Sequence, residues 1–460
     1  MRDKSLAFRI NNIVTDFFTK GHPRTIKAKK NIAFSFVLKT INIATGLLLV
    51  PLVLNYLGQT RYGIWLTLAS IVTWFNFFDV GLGNGLRNKL SESLARGKNE
   101  LSRKYVSTTY AVITIISVIF LSVVLILNAF LDWSVLLNTT NVPEDKLNIL
   151  AFVVFGFFAF RFISKLIGSV LLAYQKPAMN DLINTTGKVL ILIIIYVLSN
   201  RTKSSLLYVG ITYSATPVFA FILFSIILFS KSFKQIAPSV KYVDFSLFKD
   251  LFNLGGKFFI IQIAAVILYS SDNFIITQLF SPAEVAPYQI ANRYFGIILM
   301  GFGILVAPFW SAITEAYTKG EMTWIKNSVK KLVQLWGLAF LALIIMLVLS
   351  DEVYHLWIGD KVLIPFELSA AWAFFVGIQT LNTIFVQVIN GTGKVKLQMI
   401  IGIGGAIINI PLSILLAKYF NMGPTGVIGA TIIGQIIALF FIIIQYKKII
   451  NEQAYGIWAK

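Results

Sequence analysis

Twelve apolar runs of roughly 20 residues each punctuate this chain, and they constrain the fold more than any other feature. A helix rises about 1.5 Å per residue, so roughly 20 apolar residues are needed to cross a bilayer. Inside hydrocarbon every backbone N–H and C=O must be bonded within the protein, so runs of this length read as helices. They lie near 31–56, 62–84, 105–131, 148–172, 182–199, 205–230, 252–280, 288–314, 328–350, 368–390, 397–419 and 425–446. The expected fold is all-α and integral to a membrane: twelve transmembrane helices in two six-helix lobes around a central cationic cavity. Composition agrees, because a chain that is 57% hydrophobic and 13% charged has too few polar groups to cover a soluble surface.

The connections between runs divide the chain. Residues 1–30 form a basic N-terminal segment, 31–230 a first lobe, 231–250 a linker, 251–446 a second lobe and 447–460 a tail. In the first segment Ile10, Ile13, Val14 and Phe17 recur at helical spacing. An amphipathic helix on the inner leaflet and an unfolded basic tail both fit, whereas a secretory signal does not. The net charge of +20 suggests nucleic acid in a soluble protein, but here the bases sit between spans. With the N-terminus inside, inner segments carry 29 Lys and Arg and outer loops carry six: Arg61, Lys146, Arg201, Lys203, Lys361 and Lys418. That asymmetry predicts both termini on the cytoplasmic side and argues against a nucleic-acid partner. Trp133 and Trp357 near outer span ends fit an interfacial aromatic belt. Loops in matching positions, 54–65 with 276–290 and 174–184 with 390–400, suggest two related halves. Two such halves suit a transporter that opens alternately to each side.

The five remaining bases fall inside spans: Lys39, Arg161, Lys165, Lys188 and Arg293. Each would cost ~2.5–3.5 kcal/mol at mid-membrane if it faced lipid, so they are expected to face water or one another. Lys39, Asn42 and Gly46 share a face, and Arg161 and Lys165 stack at i, i+4. Polar stripes run along spans two (Thr67, Ser70, Thr73, Asn76), seven and ten (Gln379, Thr383, Gln387, Asn390). Together these residues outline a hydrated cavity with net positive charge, suited to an anionic head group. Arginine meets pyrophosphate oxygens through paired hydrogen bonds. Snorkelling to the inner head groups remains an alternative for the bases. Asp79, Asp272 and Glu315 are candidates for coupling to a driving ion, and an ion pair that merely satisfies a base explains Asp272 equally well.

Other chemistry is poorly supported. There are no cysteines, and the two histidines lie outside the spans. No His, Cys or carboxylate cluster has metal-ligand spacing, and no P-loop pattern occurs, so neither metal nor other cofactor is expected. Short outer loops leave little room for an extramembrane active site, which disfavours an enzyme.

One stretch is more specific. "FDVGLGNGLRNK" (78–89) lacks the G-x-G-x-x-G spacing and the preceding strand of a dinucleotide site. It resembles the signature at the inner end of the second helix in polysaccharide flippases of the Wzx type. These belong to the multidrug, oligosaccharidyl-lipid and polysaccharide exporter superfamily. The signature residues are Asp79, Gly81, Gly83, Asn84, Gly85, Arg87, Asn88 and Lys89. "NYLGQTRYGIW" (55–65) and "LIGSVLLAYQKPAMNDLIN" (166–184) extend the likeness. The resemblance implies a MATE-like fold in a bacterial cytoplasmic membrane. It also implies translocation of undecaprenyl-pyrophosphate-linked oligosaccharide, driven by an ion gradient, for surface polysaccharide such as O-antigen or capsule. Membrane lipids, a polymerase and a chain-length protein are the implied partners. Arg293 matches by position an arginine that related lipid flippases place on helix eight. A multidrug cation antiporter, a lipid II flippase and, less well, a membrane glycan polymerase are the rival readings.

Overall fold

The computed structural model describes residues 23–75, 82–174, 176–251, 271–306 and 309–459; of residues 23–33, 35, 95, 311, 314, 315 and 318 it describes the backbone alone. Helices carry the fold, and no strand occurs among the described residues. In chain order the helices are α1 (Pro23–Leu57), α2 (Gln59–Trp74), α3 (Leu82–Ala95), α4 (Asn99–Asn128), α5 (Trp133–Leu136), α6 (Glu144–Ser164), α7 (Leu166–Ala173), α8 (Pro177–Arg201) and α9 (Leu206–Ser230). After the linker come α10 (Asp272–Leu279), α11 (Val285–Val306), α12 (Phe309–Thr318), α13 (Met322–Val348), α14 (Ser350–Ile358), α15 (Phe366–Thr392), α16 (Lys396–Ile414) and α17 (Pro424–Ile450).

Among the described residues ten helical stretches are long and apolar enough to cross a membrane. They correspond to every predicted span except two and seven, parts of which lie outside the described residues. Span four is broken at Lys165 into α6 and α7. Span eleven ends in a π turn over Leu415–Tyr419. The predicted amphipathic helix near residues 10–17 lies outside the described residues, while residues 23–30 already belong to α1.

Large apolar side chains point outward in bands, as lipid-facing helices require. On α4 these are Ile115, Val118, Ile119, Val123 and Ile126; on α13 they are Leu338, Leu341, Ile345 and Val348. Between helices, packing is supplemented by buried carboxamides. Asn382 of α15 donates to Gln435 of α17 at 2.8 Å, and Asn409 of α16 donates to Thr431 at 3.0 Å. Such bonds hold membrane helices together where burial alone gains little over lipid contact. Trp133 departs from the belt reading: it is 3% exposed and donates to Asn128 at 2.7 Å. Trp357 is likewise turned into the protein.

The bundle has two ends. One, the turn face, carries residues 58, 129–143, 202–205, 280–284 and 359–365. The other, the linker face, carries residues 96–98, 231–250, 319–321 and 393–395. Helices α1–α9 pack among themselves, as do α11–α17. The substantial contacts between the two groups run through α1 and α2 against α10, the 282–284 turn, α11 and α14. One apolar core runs through both groups on this side. Toward the linker face the second group keeps a separate core, built from residues such as Phe302, Ile313, Ile325, Val388 and Ile449.

The linker adheres to the first group. Its three short 3-10 turns, Lys234–Ile236, Val240–Tyr242 and Phe245–Leu247, lie along α4. Arg103 donates to Ala237 O at 3.0 Å, with its guanidinium 4.2 Å from the centre of the Tyr242 ring. The Thr108 hydroxyl accepts from Asp244 N at 2.9 Å, and Lys104 pairs with the Asp244 carboxylate at 3.7 Å.

Candidate functional site

The seal at the turn face is built from backbone as much as from side chains. A Cβ on Gly63 of α2 would sit 1.6 Å from Pro282 O, so glycine alone permits this approach. Around it Gln59 donates to Ala283 O at 3.1 Å, Thr67 and Thr277 share a 2.6 Å hydroxyl contact, and Asn273 donates to Leu66 O at 3.3 Å. Asn138 and Gln278 reach across in opposite directions. Asn138 donates to Thr277 O at 2.8 Å, and Gln278 donates to Leu136 O at 2.8 Å.

Pro51 supplies two further anchor points. Proline has no N–H, so the carbonyl four residues earlier, Leu47 O, loses its helical partner. The Trp357 indole donates to it at 3.1 Å. One residue before, Gly46 O accepts from Arg293 Nη1 at 3.2 Å. Pro51 thus leaves Leu47 O for the second group of helices, in keeping with how membrane proteins re-satisfy freed backbone groups, and Gly46 O beside it takes a further bond.

Below the seal, between the groups, lies a cavity of about 250 Å³. Ser70 and Thr73 of α2 form one wall, and Asn273, Gln289 and Asn292 form the other. Gln289 donates to Asn273 Oδ1 at 2.7 Å, and Asn292 donates to Gln289 Oε1 at 3.2 Å. This chain of carboxamides leaves further donor and acceptor positions for a hydroxyl-rich ligand.

Of the five predicted bases, Arg293 adjoins this wall, one residue after Asn292. Lys188 of α8 feels the charges of Arg293 and Arg161 together. Arg293 also acts on Tyr62 and Tyr213, which places it among α2, α9 and α11. Arg161 and Arg293 are half-buried and Lys188 is exposed. Like charges gathered in a low-dielectric setting repel strongly, so this cluster is suited to a multiply charged anion. Lys39 is exposed on α1 and is not drawn into the trio; Lys165 is exposed at the α6–α7 junction.

The acids separate from the bases. Asp272 is 7% exposed and accepts from the Tyr288 hydroxyl at 2.5 Å, while its neighbour Asn273 faces the cavity. The expected pairing of cavity bases with Asp272 therefore does not occur among the described contacts. Glu315 lies on α12 with its side chain outside the described residues, and Asp79 and Gly81 lie outside them altogether. The rest of the signature, Gly83, Asn84, Gly85, Arg87, Asn88 and Lys89, sits inside α3 rather than in a loop. There Gly85 meets the end of the linker: its Cβ would fall 2.2 Å from Leu251 O.

The family described as polysaccharide biosynthesis protein matches residues 28–313. The chain belongs to that family. Its match includes the 78–89 signature, Arg161, Lys188 and Arg293. A second family, MatE, matches residues 258–415. Among curated relatives, a Salmonella typhi protein that bears the name O-antigen transporter is 24% identical over 333 residues, 70% of this chain and 74% of the relative. One of the same name from Salmonella typhimurium is 20% identical over 427 residues, 86% of this chain and 95% of the relative. The fold is shared with an inward-facing MATE-family multidrug transporter (TM-score 0.75, 13% identity, 90% of this chain and 95% of the other). It is also shared with the lipid II flippase MurJ in an inward closed conformation (TM-score 0.69, 17% identity, 92% and 90%). The chain is therefore a multi-pass membrane protein with the helical fold that these two structures share.

Proposed function

We propose that the chain is a flippase that carries an undecaprenyl-pyrophosphate-linked oligosaccharide across the bacterial cytoplasmic membrane, with both termini on the cytoplasmic side. The observation that carries this reading is a cavity walled by carboxamides and hydroxyls, with Arg293 one residue after Asn292 of that wall and acting electrostatically on Lys188, which also feels Arg161. The bases take the pyrophosphate, and the amides take sugar hydroxyls. The lipid tail stays in the bilayer. The Salmonella relatives named for O-antigen transport support the same substrate class. A cationic drug finds no attraction in such a cavity, which weighs against a multidrug antiporter.

In this reading the linker face is cytoplasmic, and the sealed turn face closes the cavity to the outer side. Arg293 connects binding to opening. It now holds Gly46 O across the seal; a pyrophosphate in the cavity competes for the same guanidinium. Drawing Arg293 onto phosphate removes one strut of the seal and favours opening to the other side. Only such a differential interaction lets a substrate shift the equilibrium between two states. Asp272 is proposed to couple an ion gradient, a reading supported by its burial at the start of α10 beside the seal. A polymerase that consumes the delivered repeat units completes the pathway.

The test is reconstitution. Purified protein in liposomes, given a fluorescent polyprenyl-pyrophosphate oligosaccharide in one leaflet, is expected to expose it to a glycosidase on the other side. No transfer above protein-free liposomes, with and without an imposed proton or sodium gradient, overturns the proposal.

A further inference from the structure

Outer loops of membrane proteins are poor in Lys and Arg, and this chain places six on the turn face. Two of the six, Arg61 and Lys361, bond to the lining of one pocket, and Arg201 and Lys203 flank a lining residue in sequence. The pocket occupies about 410 Å³ between the ends of α1 and α8, within the ~300–1,000 Å³ range of small-molecule sites. Asn55, Ser199, Asn200, Thr202 and Ser204 line it, and the Tyr196 ring, 63% exposed, stands at its edge.

Two of the bases touch the lining directly. Arg61 donates to the Ser204 hydroxyl at 3.3 Å, and Lys361 donates to Asn55 Oδ1. Arg201 and Lys203 are the exposed sequence neighbours of Thr202, which is part of the wall. Among the described residues no carboxylate pairs with any of the four. The wall is braced from behind: the buried Tyr56 donates to Lys203 O at 2.8 Å and shares a 2.7 Å contact with the Thr202 hydroxyl. Bases at a pocket rim without a carboxylate partner raise the local positive potential and favour an anion. Several amides and hydroxyls with an exposed aromatic ring are more than a phosphate needs. They match a sugar, whose hydroxyls take the polar groups and whose C–H face lies on the tyrosine.

We propose that this pocket is a second ligand subsite, separate from the cavity between the lobes, that binds an acidic saccharide, a uronic acid or a phosphate-bearing sugar. The choice of a saccharide rests on the proposed function; the preference for an anion does not. With the linker face cytoplasmic, the pocket faces the outer side, where it receives sugars of a delivered repeat unit.

Binding is measured on the full chain in phosphatidylcholine nanodiscs by titration calorimetry. The probes are digalacturonate, the neutral disaccharide maltose, and dioctanoyl phosphatidylglycerol. Digalacturonate is expected to bind at least ~10-fold more tightly than maltose and to weaken as salt rises from about 20 to about 300 mM. Asn200 and Lys361 are exposed, so the double variant Asn200→Ala/Lys361→Ala should fold and lose at least ~10-fold in digalacturonate affinity, as expected for a polar contact plus a charge. Lys146→Ala, at an exposed base outside the pocket lining, should leave that affinity unchanged. Digalacturonate binding no better than maltose overturns the proposal, as does an unaffected double variant. Saturable phosphatidylglycerol binding that digalacturonate does not displace also overturns it, and assigns the pocket to a lipid head group. If liposomes show no translocation while digalacturonate binding persists, the flippase reading falls and the subsite stands.

Discussion

Replacing Gly63 by alanine tests whether the turn face is a true seal. The added Cβ would lie 1.6 Å from Pro282 O, where ordinary contact begins at 3.4 Å. The 282–284 turn and α2 must therefore separate by at least about 1.8 Å, the difference between those distances. Such a shift takes the Gln59–Ala283 bond, now 3.1 Å, out of hydrogen-bonding range and strains the Thr67–Thr277 contact. Overpacking costs ~1–3 kcal/mol, and each lost hydrogen bond adds ~1 kcal/mol. A total of about 3 kcal/mol against the sealed state shifts the equilibrium roughly 100-fold toward opening at the turn face. The chain has no cysteine, so a single Ser70→Cys in the cavity wall reports access cleanly. A membrane-impermeant maleimide applied from the turn side should label it slowly in the parent and many-fold faster with Gly63→Ala. Gly85→Ala, which clashes with Leu251 at the other end, is the control and should not raise turn-side labelling. Equal labelling of Gly63→Ala and the parent, with unchanged transport, would refute the reasoning.

Three further outcomes are expected. Arg293→Ala should reduce transport by ~10–100-fold, as for loss of a charge-assisted bond worth about 1.5–3 kcal/mol, while Arg293→Lys should recover part of it; transport assays of the three proteins check this. Gly83→Leu in the buried face of α3 should insert normally and transport poorly, and normal transport by a fully inserted variant would show that the close packing there is dispensable. Thr108→Val should release the linker, read as faster tryptic cleavage at Lys241. The Asp244 carboxyl is held below the usual carboxylate range by the Ser246 hydroxyl, the Ser246 amide and Lys104. A depressed value in the folded state means that docking is fully supported above the ordinary carboxylate value of 3.8 and lost as pH falls through the depressed one. A spin label at the exposed Val240 should therefore show constant mobility from about pH 8 to about pH 5 and rising mobility only below about 3.8.

Much of this architecture is legible in the sequence because a bilayer leaves few solutions. Apolar length locates the ten spans found among the described residues, and bases inside spans are costly enough to be noticed. Arg161, Lys188 and Arg293 stand out for that reason. What escapes is where helices meet. Nothing local distinguishes Gly63, which admits a carbonyl from 219 residues away, from glycines that face open space. Nor does a free carbonyl below Pro51 announce that Trp357 will fill it. Gln289 and Asn292 carry a readable signal: with Arg293 they fall at i, i+3 and i+4, one polar face of an apolar helix. A charge-centred reading sees the arginine and passes over the amides beside it. The signature shows the opposite case. Its glycines are visible at once, yet the reason for Gly85 is the carbonyl of Leu251 across the bundle.

The central claim is that Arg161, Lys188 and Arg293 together receive the pyrophosphate. Its most direct test is equilibrium binding of a short-chain polyprenyl-pyrophosphate oligosaccharide to purified protein, the parent against Arg161→Gln/Lys188→Gln/Arg293→Gln. A loss of about 100-fold or more, from three charge-assisted contacts acting together, with normal folding, is the predicted result. Affinity equal to the parent would contradict it.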